Sequence, residues 1–157
     1  MNWQPVVERI LDELEEIQQI ITRIHEGMQK LKQTSDSLYL DSVALNLQGF
    51  YNGIENIFES IAQEIDQYLP QGERWHLELI TQMSREISGV RPAVISEQTL
   101  TDLDEYRSFR HVVRHIYSTK FDQTKIDPLA MRVDVCFEQI SKELQAFVSF
   151  LERSSQA

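Results

Sequence analysis

Glycine and proline are scarce, at 5 and 4 of 157 residues, which leaves few places for tight turns. A β-sandwich or a dinucleotide-binding α/β domain of this length would need more of both. Cysteine is limited to Cys136, which excludes an intrachain disulfide and a cysteine-based zinc site. No apolar run approaches the ~18 residues of a membrane span. The opening stretch, MNWQPVVERILDELEE, is acidic and has no secretory apolar core, so a reducing cytoplasm is the expected compartment. Cations are in the minority: 15 Lys and Arg stand against 25 Asp and Glu, for a net charge of −10. A chain with that balance repels nucleic acid as a whole, and any nucleic-acid activity needs a local basic patch.

What remains is a globular composition, 41% hydrophobic and 25% charged, of a length that suits one domain. We expect that domain to occupy residues 1–152, with a polar tail at 153–157 that frays. The periodicity is helical throughout. Val6, Ile10, Leu14, Ile17, Ile21, Ile24, Met28 and Leu31 recur at three- and four-residue steps and predict a helix from about Pro5 to Lys32. Thr34 to Ser37 interrupt it. A second long helix follows through Val43, Leu47, Phe50, Ile54, Ile61, Ile65 and Tyr68, closed by Pro70-Gln71-Gly72. A shorter third helix fits Trp75 to Ile87, and residues 89–96 read as a loop. The fourth starts near Thr99 or Thr101 and runs through Ile116. Residues 118–126 read as a loop, and Asp127-Pro128 form an N-cap and first-turn proline for the last helix. The fold class is therefore all-α, an up-and-down bundle of about five helices.

One window carries chemistry. Residues 107–120, RSFRHVVRHIYSTK, contain Arg107, Arg110, Arg114 and Lys120 and no carboxylate. Their formal charge of +4 leaves −14 on the rest of the chain, so the window is an electrostatic target for an anion. On an ideal helix Phe109, Val112, Val113 and Ile116 form one apolar stripe facing the core, with Tyr106 at its edge. Arg107, Arg110, His111, Arg114 and His115 spread over the other side. Tyr117 falls within about 20° of Arg110, whereas Arg110 and His115 lie about 140° apart. A site using both must gather them at the helix end or across a two-fold partner.

The spacing Arg110, four residues, His115, one residue, Tyr117 resembles the Arg-x4-His-x-Tyr signature of HEPN domains of the HepT type. These are the toxin halves of HEPN/minimal-nucleotidyltransferase toxin–antitoxin modules. Chance placement of these residue types gives about 0.01 such matches in a chain of this composition. His111 after the arginine and Phe121-Asp122 downstream extend the likeness. The resemblance implies an all-α two-fold homodimer and a metal-independent ribonuclease, with no cofactor. RNA brings its own nucleophile, the 2′-OH, which DNA lacks. Cleavage then needs a proton-transfer group and a cation for the charge that builds on phosphorus. By this reading the catalytic pair is His115 for proton transfer and Arg110 for transition-state stabilisation. Arg107, His111, Arg114 and Lys120 would steer the RNA backbone. In the family the motif tyrosine, here Tyr117, accepts adenylyl groups from the cognate minimal nucleotidyltransferase antitoxin, which would neutralise the cations and obstruct the RNA path. The alternative is a non-catalytic HEPN-like module that binds nucleotide or assists a nucleotidyltransferase through the same patch.

Other residues have plainer readings. His111 and His115 are spaced like a helical metal pair, but the glutamate base of such motifs is missing and Arg114 repels a cation, so no metal is expected. His25 and His76 read as isolated surface or boundary residues, and Cys136 as a buried thiol. Asn46, Gln48, Asn52 and Glu55 make one side of the second helix polar. We read them as solvated surface, with a site lining or a dimer contact as alternatives.

Overall fold

The computed structural model describes residues 1–156. It contains five α-helices and, among those residues, no strand: α1 (Gln4–Thr34), α2 (Leu38–Ile61), α3 (Trp75–Met83), α4 (Glu97–His115) and α5 (Gln123–Gln156). The hub is α2, which touches each of the other four. Its Phe50, Tyr51, Ile54, Ile57 and Phe58 are all fully enclosed. Two glycines permit the close approach of α1 to α2. A Cβ on Gly53 would stand 2.6 Å from Ile17 Cγ1, and one on Gly27 would stand 2.8 Å from Val43 Cγ2.

Several boundaries differ from expectation for identifiable reasons. A π-helical turn (Ala62–Asp66) prolongs α2 and ends at Gln67 in the left-handed region, φ 57°. The third helix stops at Met83, because the Met83 carbonyl receives the N–H groups of both Val94 and Ile95. Arg91 pins the intervening loop. Its Nε and Nη2 donate to the two Asp66 carboxylate oxygens at 2.6 and 2.7 Å, and its Nη1 donates to the carbonyls of Arg85 and Pro92. Both side chains of this pair are almost fully buried.

The N-cap of α4 is Ser96, whose Oγ accepts from the Thr99 N–H at 3.2 Å, and not Thr99 or Thr101. Thr99 is instead buried, with its hydroxyl donating to Glu143 of α5 at 2.6 Å. The last helix begins five residues before Pro128, because Asp122 caps it first. Asp122 Oδ1 accepts from the Thr124 N–H and hydroxyl at 3.0 and 2.6 Å, and these bonds hold the carboxyl below its ordinary value. Pro128 is thus inside α5. Its missing N–H frees only the carbonyl of Thr124, an exposed residue. At the other end, the tail expected to fray is helical to Gln156, and Ser155 Oγ accepts from the Trp3 N–H at 3.0 Å. Ala157 lies outside the described residues.

Only part of the apolar stripe of α4 meets the core: Phe109 and Val113 pack against it. Tyr106, expected at the edge, is buried and donates its hydroxyl to the Leu129 carbonyl at 2.8 Å. Val112 and Ile116 are instead 46% and 40% exposed. With Phe109 of α4 they flank a groove of about 490 Å³ whose other side is Phe121 of the following turn and Ile126 and Leu129 of α5. Tyr106 is the last fully buried residue of α4; beyond it Phe109 and Val113 still pack against the core at partial burial, and most of their neighbours face solvent.

Candidate functional site

Beyond Tyr106, α4 presents its basic side to the segment that opens α3. The two enclose a cavity of about 520 Å³, lined by residues 72–77 on one wall and by Arg107, Arg110, His111, Arg114 and His115 on the other. Arg110 and His115 therefore line one cavity of a single chain, despite their angular separation on the helix. Helical side chains lean toward the N-terminus and cover the turn before their own Cα. The His115 ring folds back in this way, stacks on His111 with ring centroids 4.3 Å apart, and puts Nδ1 2.6 Å from the His111 carbonyl. A carbonyl only accepts, so Nδ1 carries the hydrogen and Nε2 bears the lone pair of the neutral ring.

Arg110 is fixed from the other direction. Its Nε donates to Asn52 Oδ1 on α2 at 2.6 Å, leaving the outer nitrogens of the guanidinium as donors toward the cavity. Arg107 is partly committed, with Nε on Asp104 at 2.6 Å. Arg114 makes no ion pair among the described residues and is exposed. Arg74, at the mouth of α3, adds a fourth guanidinium to the lining.

Two expected placements fail. Lys120 is not in this cavity; it lines the apolar groove on the other side of α4. The helix ends at His115 and Ile116 is extended, φ −129°, ψ 158°, so Tyr117 does not share a helical face with Arg110. Tyr117 stands 82% exposed at the start of a short 3-10 turn (Ser118–Lys120), and its ring packs into no core. It follows His115 by two residues, a span of about 7 Å at most along the backbone.

The site also contains residues that the sequence reading set aside. Glu55, expected at the surface, is 5% exposed. Its Oε2 is 2.7 Å from Nδ1 of His76, which lies in the cavity wall and stacks on Trp75 with centroids 3.7 Å apart. Asn52, Glu55 and Glu59 step along one face of α2 toward this pair. Burial, with the Glu55 charge second, raises the Glu59 carboxyl above its ordinary value, while His76 and Arg110 act the other way. Burial and the same carboxylate push the Tyr51 phenol far up, so it stays neutral. The polar file at 52, 55 and 59 along one face of α2 was the available signal.

A family model for HepT-like proteins matches residues 42–151. The chain belongs to the HepT-like family. No curated protein and no solved structure matches it. The span shared with HepT-like proteins runs from the first turns of α2 into the last turns of α5, and so takes in the whole cavity and the Arg110-to-Tyr117 motif. It leaves out α1. Of the other single residues, His25 pairs at the surface with Asp134 of α5 at 2.7 Å. Cys136 is buried, and burial pushes its thiol up to about 12. No helix is long and apolar enough to cross a membrane among the described residues.

Proposed function

We propose that this HepT-like chain is the metal-independent ribonuclease of a cytoplasmic toxin–antitoxin pair. The observation that carries the reading is that Arg110 and His115 line one basic cavity, each held by a hydrogen bond that suits its chemistry. With Nδ1 donating to the His111 carbonyl, His115 offers Nε2 to take the 2′-OH proton. The attacking 2′-oxygen then bonds to phosphorus, and Arg110, oriented by Asn52, balances the negative charge that develops there. Arg107, His111 and Arg114 hold the flanking phosphates, and DNA, lacking the nucleophile, is spared.

Tyr117 suits the role of adenylyl acceptor because its ring is exposed and close to His115 along the chain. Adenylylation there by a cognate minimal nucleotidyltransferase adds negative charge and bulk two residues from His115. The half-exposed strip of Val112 and Ile116 beside the motif supports a two-fold homodimer that draws two such cavities together.

The reading is tested by producing the chain in cells without its partner. Wild type arrests growth, Arg110→Ala and His115→Ala do not, and all three accumulate to similar levels as folded protein. Growth arrest by the His115→Ala protein equal to that of wild type would overturn the assignment. Harmless wild type that binds RNA without cutting it would establish the non-catalytic binding module instead.

A further inference from the structure

His76 and Glu55 belong to no motif, and the ribonuclease reading above does not use them. They form a buried carboxylate–imidazole pair, with side-chain exposures of 7% for Glu55 and 25% for His76. What is exposed of His76 is in the wall of the cavity that holds Arg110 and His115. The Glu55 carboxylate accepts from Nδ1 at 2.7 Å, which leaves Nε2 without a hydrogen-bond partner among the described residues. Trp75 stacks on the ring and restrains its tilt. Of the three imidazoles that line the cavity, two are tied down through Nδ1. His115 is tied to a neutral carbonyl and His76 to a carboxylate. Each ring keeps Nε2 free of any hydrogen bond within the chain among the described residues, so one can take a proton from the substrate while the other delivers one.

We propose that His76, positioned by Glu55, is the general acid of this site and protonates the leaving 5′-oxygen. The assignment rests on the ribonuclease reading and completes its proton balance. The 2′-O–H proton passes to Nε2 of His115 as the 2′-oxygen forms its bond to phosphorus. The bond from phosphorus to the 5′-oxygen breaks, and that oxygen takes the proton from Nε2 of His76. The products are a 2′,3′-cyclic phosphate and a 5′-hydroxyl. His115 ends protonated and His76 neutral, and solvent restores both. Glu55 acts through His76 and is a positioning residue.

The test compares two RNAs of one sequence. One is ordinary, and in the other the scissile 5′-oxygen is replaced by sulfur, a leaving group that needs no proton. The variant is His76→Gln, whose amide still donates to Glu55 and so spares the buried carboxylate. Glu55→Gln is the second variant, and thermal melts verify that both fold. His76→Gln should slow cleavage of the ordinary RNA by about 10²–10⁴-fold and restore the rate on the sulfur RNA to within about threefold of wild type. Glu55→Gln should follow the same pattern more weakly, and His115→Ala should slow both RNAs. Equal slowing of both RNAs by His76→Gln, or no slowing of either, overturns the general-acid role while leaving the ribonuclease reading intact. Failure of wild type to cut either RNA overturns both.

Discussion

Asn52→Leu separates the orientation of Arg110 from its presence. Arg110 Nε donates to Asn52 Oδ1 at 2.6 Å, and no other hydrogen bond within the chain holds this guanidinium among the described residues. A hydrogen bond to a charged donor contributes about 1.5–3 kcal/mol where water is excluded. Here Arg110 is only partly buried, and water replaces the lost acceptor, so folding should lose no more than ~1 kcal/mol. The transition state is less forgiving, because a swinging guanidinium must be re-oriented each time charge builds on phosphorus. An orientation penalty of about 1–2 kcal/mol corresponds to a loss of about 5–30-fold in kcat. Removing the cation altogether by Arg110→Ala should cost about 10²–10³-fold. Arg110→Lys should resemble the alanine variant, since lysine has no Nε–H to meet Asn52 and no fork for phosphate. The assay is single-turnover cleavage of a short RNA at saturating protein, paired with urea unfolding of each variant. Wild-type kcat in Asn52→Leu would refute the positioning argument, as would a loss of rate matched by a loss of folded protein.

Other consequences follow from packing and charge. Arg91→Met should strand the buried Asp66 carboxylate and cost about 3–5 kcal/mol in urea unfolding, whereas Arg91→Met combined with Asp66→Leu should recover most of it; a double variant as unstable as the single one contradicts this account of the loop. Gly53→Ala should destabilise by about 1–3 kcal/mol despite the better helix propensity of alanine, because the new methyl meets Ile17 across the α1–α2 contact. A melting temperature at or above that of wild type would show that α1 can step aside. Arg114→Ala should weaken RNA binding without changing its sequence preference. It should also flatten the logarithmic salt dependence by roughly 0.7, the share of one phosphate contact on a single strand. An unchanged slope would remove Arg114 from the RNA path.

The helical pattern was legible because apolar residues recur at helical spacing with few interruptions, and four of the five helices begin within a few residues of the expected places. The start of α5 was misplaced because the chain offers two N-cap signals five residues apart. Asp127-Pro128 is the more conspicuous, but the earlier Asp122 satisfies the first turn and lets Ile126 reach the core. Periodicity also cannot distinguish an apolar stripe that meets the core from one that runs past it, which is why Val112 and Ile116 were assigned inward.

The motif lies on α4, as its helical spacing implied, yet an ideal-helix projection misjudged its geometry. It kept Arg110 and His115 apart by ignoring the N-terminal lean of their side chains, and it grouped Tyr117 with Arg110 by running the helix two residues too far. His76, Glu55 and Asn52 were set aside for a further reason. Each is an ordinary polar residue by its local pattern. The contacts that define them, Asn52 with Arg110 and Glu55 with His76, span 58 and 21 residues of sequence.

The most direct test of the central claim is RNA cleavage by the purified chain in excess EDTA, with an intact mass showing Tyr117 unmodified. Wild type should cut tRNA into fragments with cyclic phosphate ends, and His115→Ala, equally folded, should be slower by at least about 10²-fold. Cleavage that requires a divalent metal, or equal cleavage by both proteins, would contradict an active centre built on Arg110 and His115.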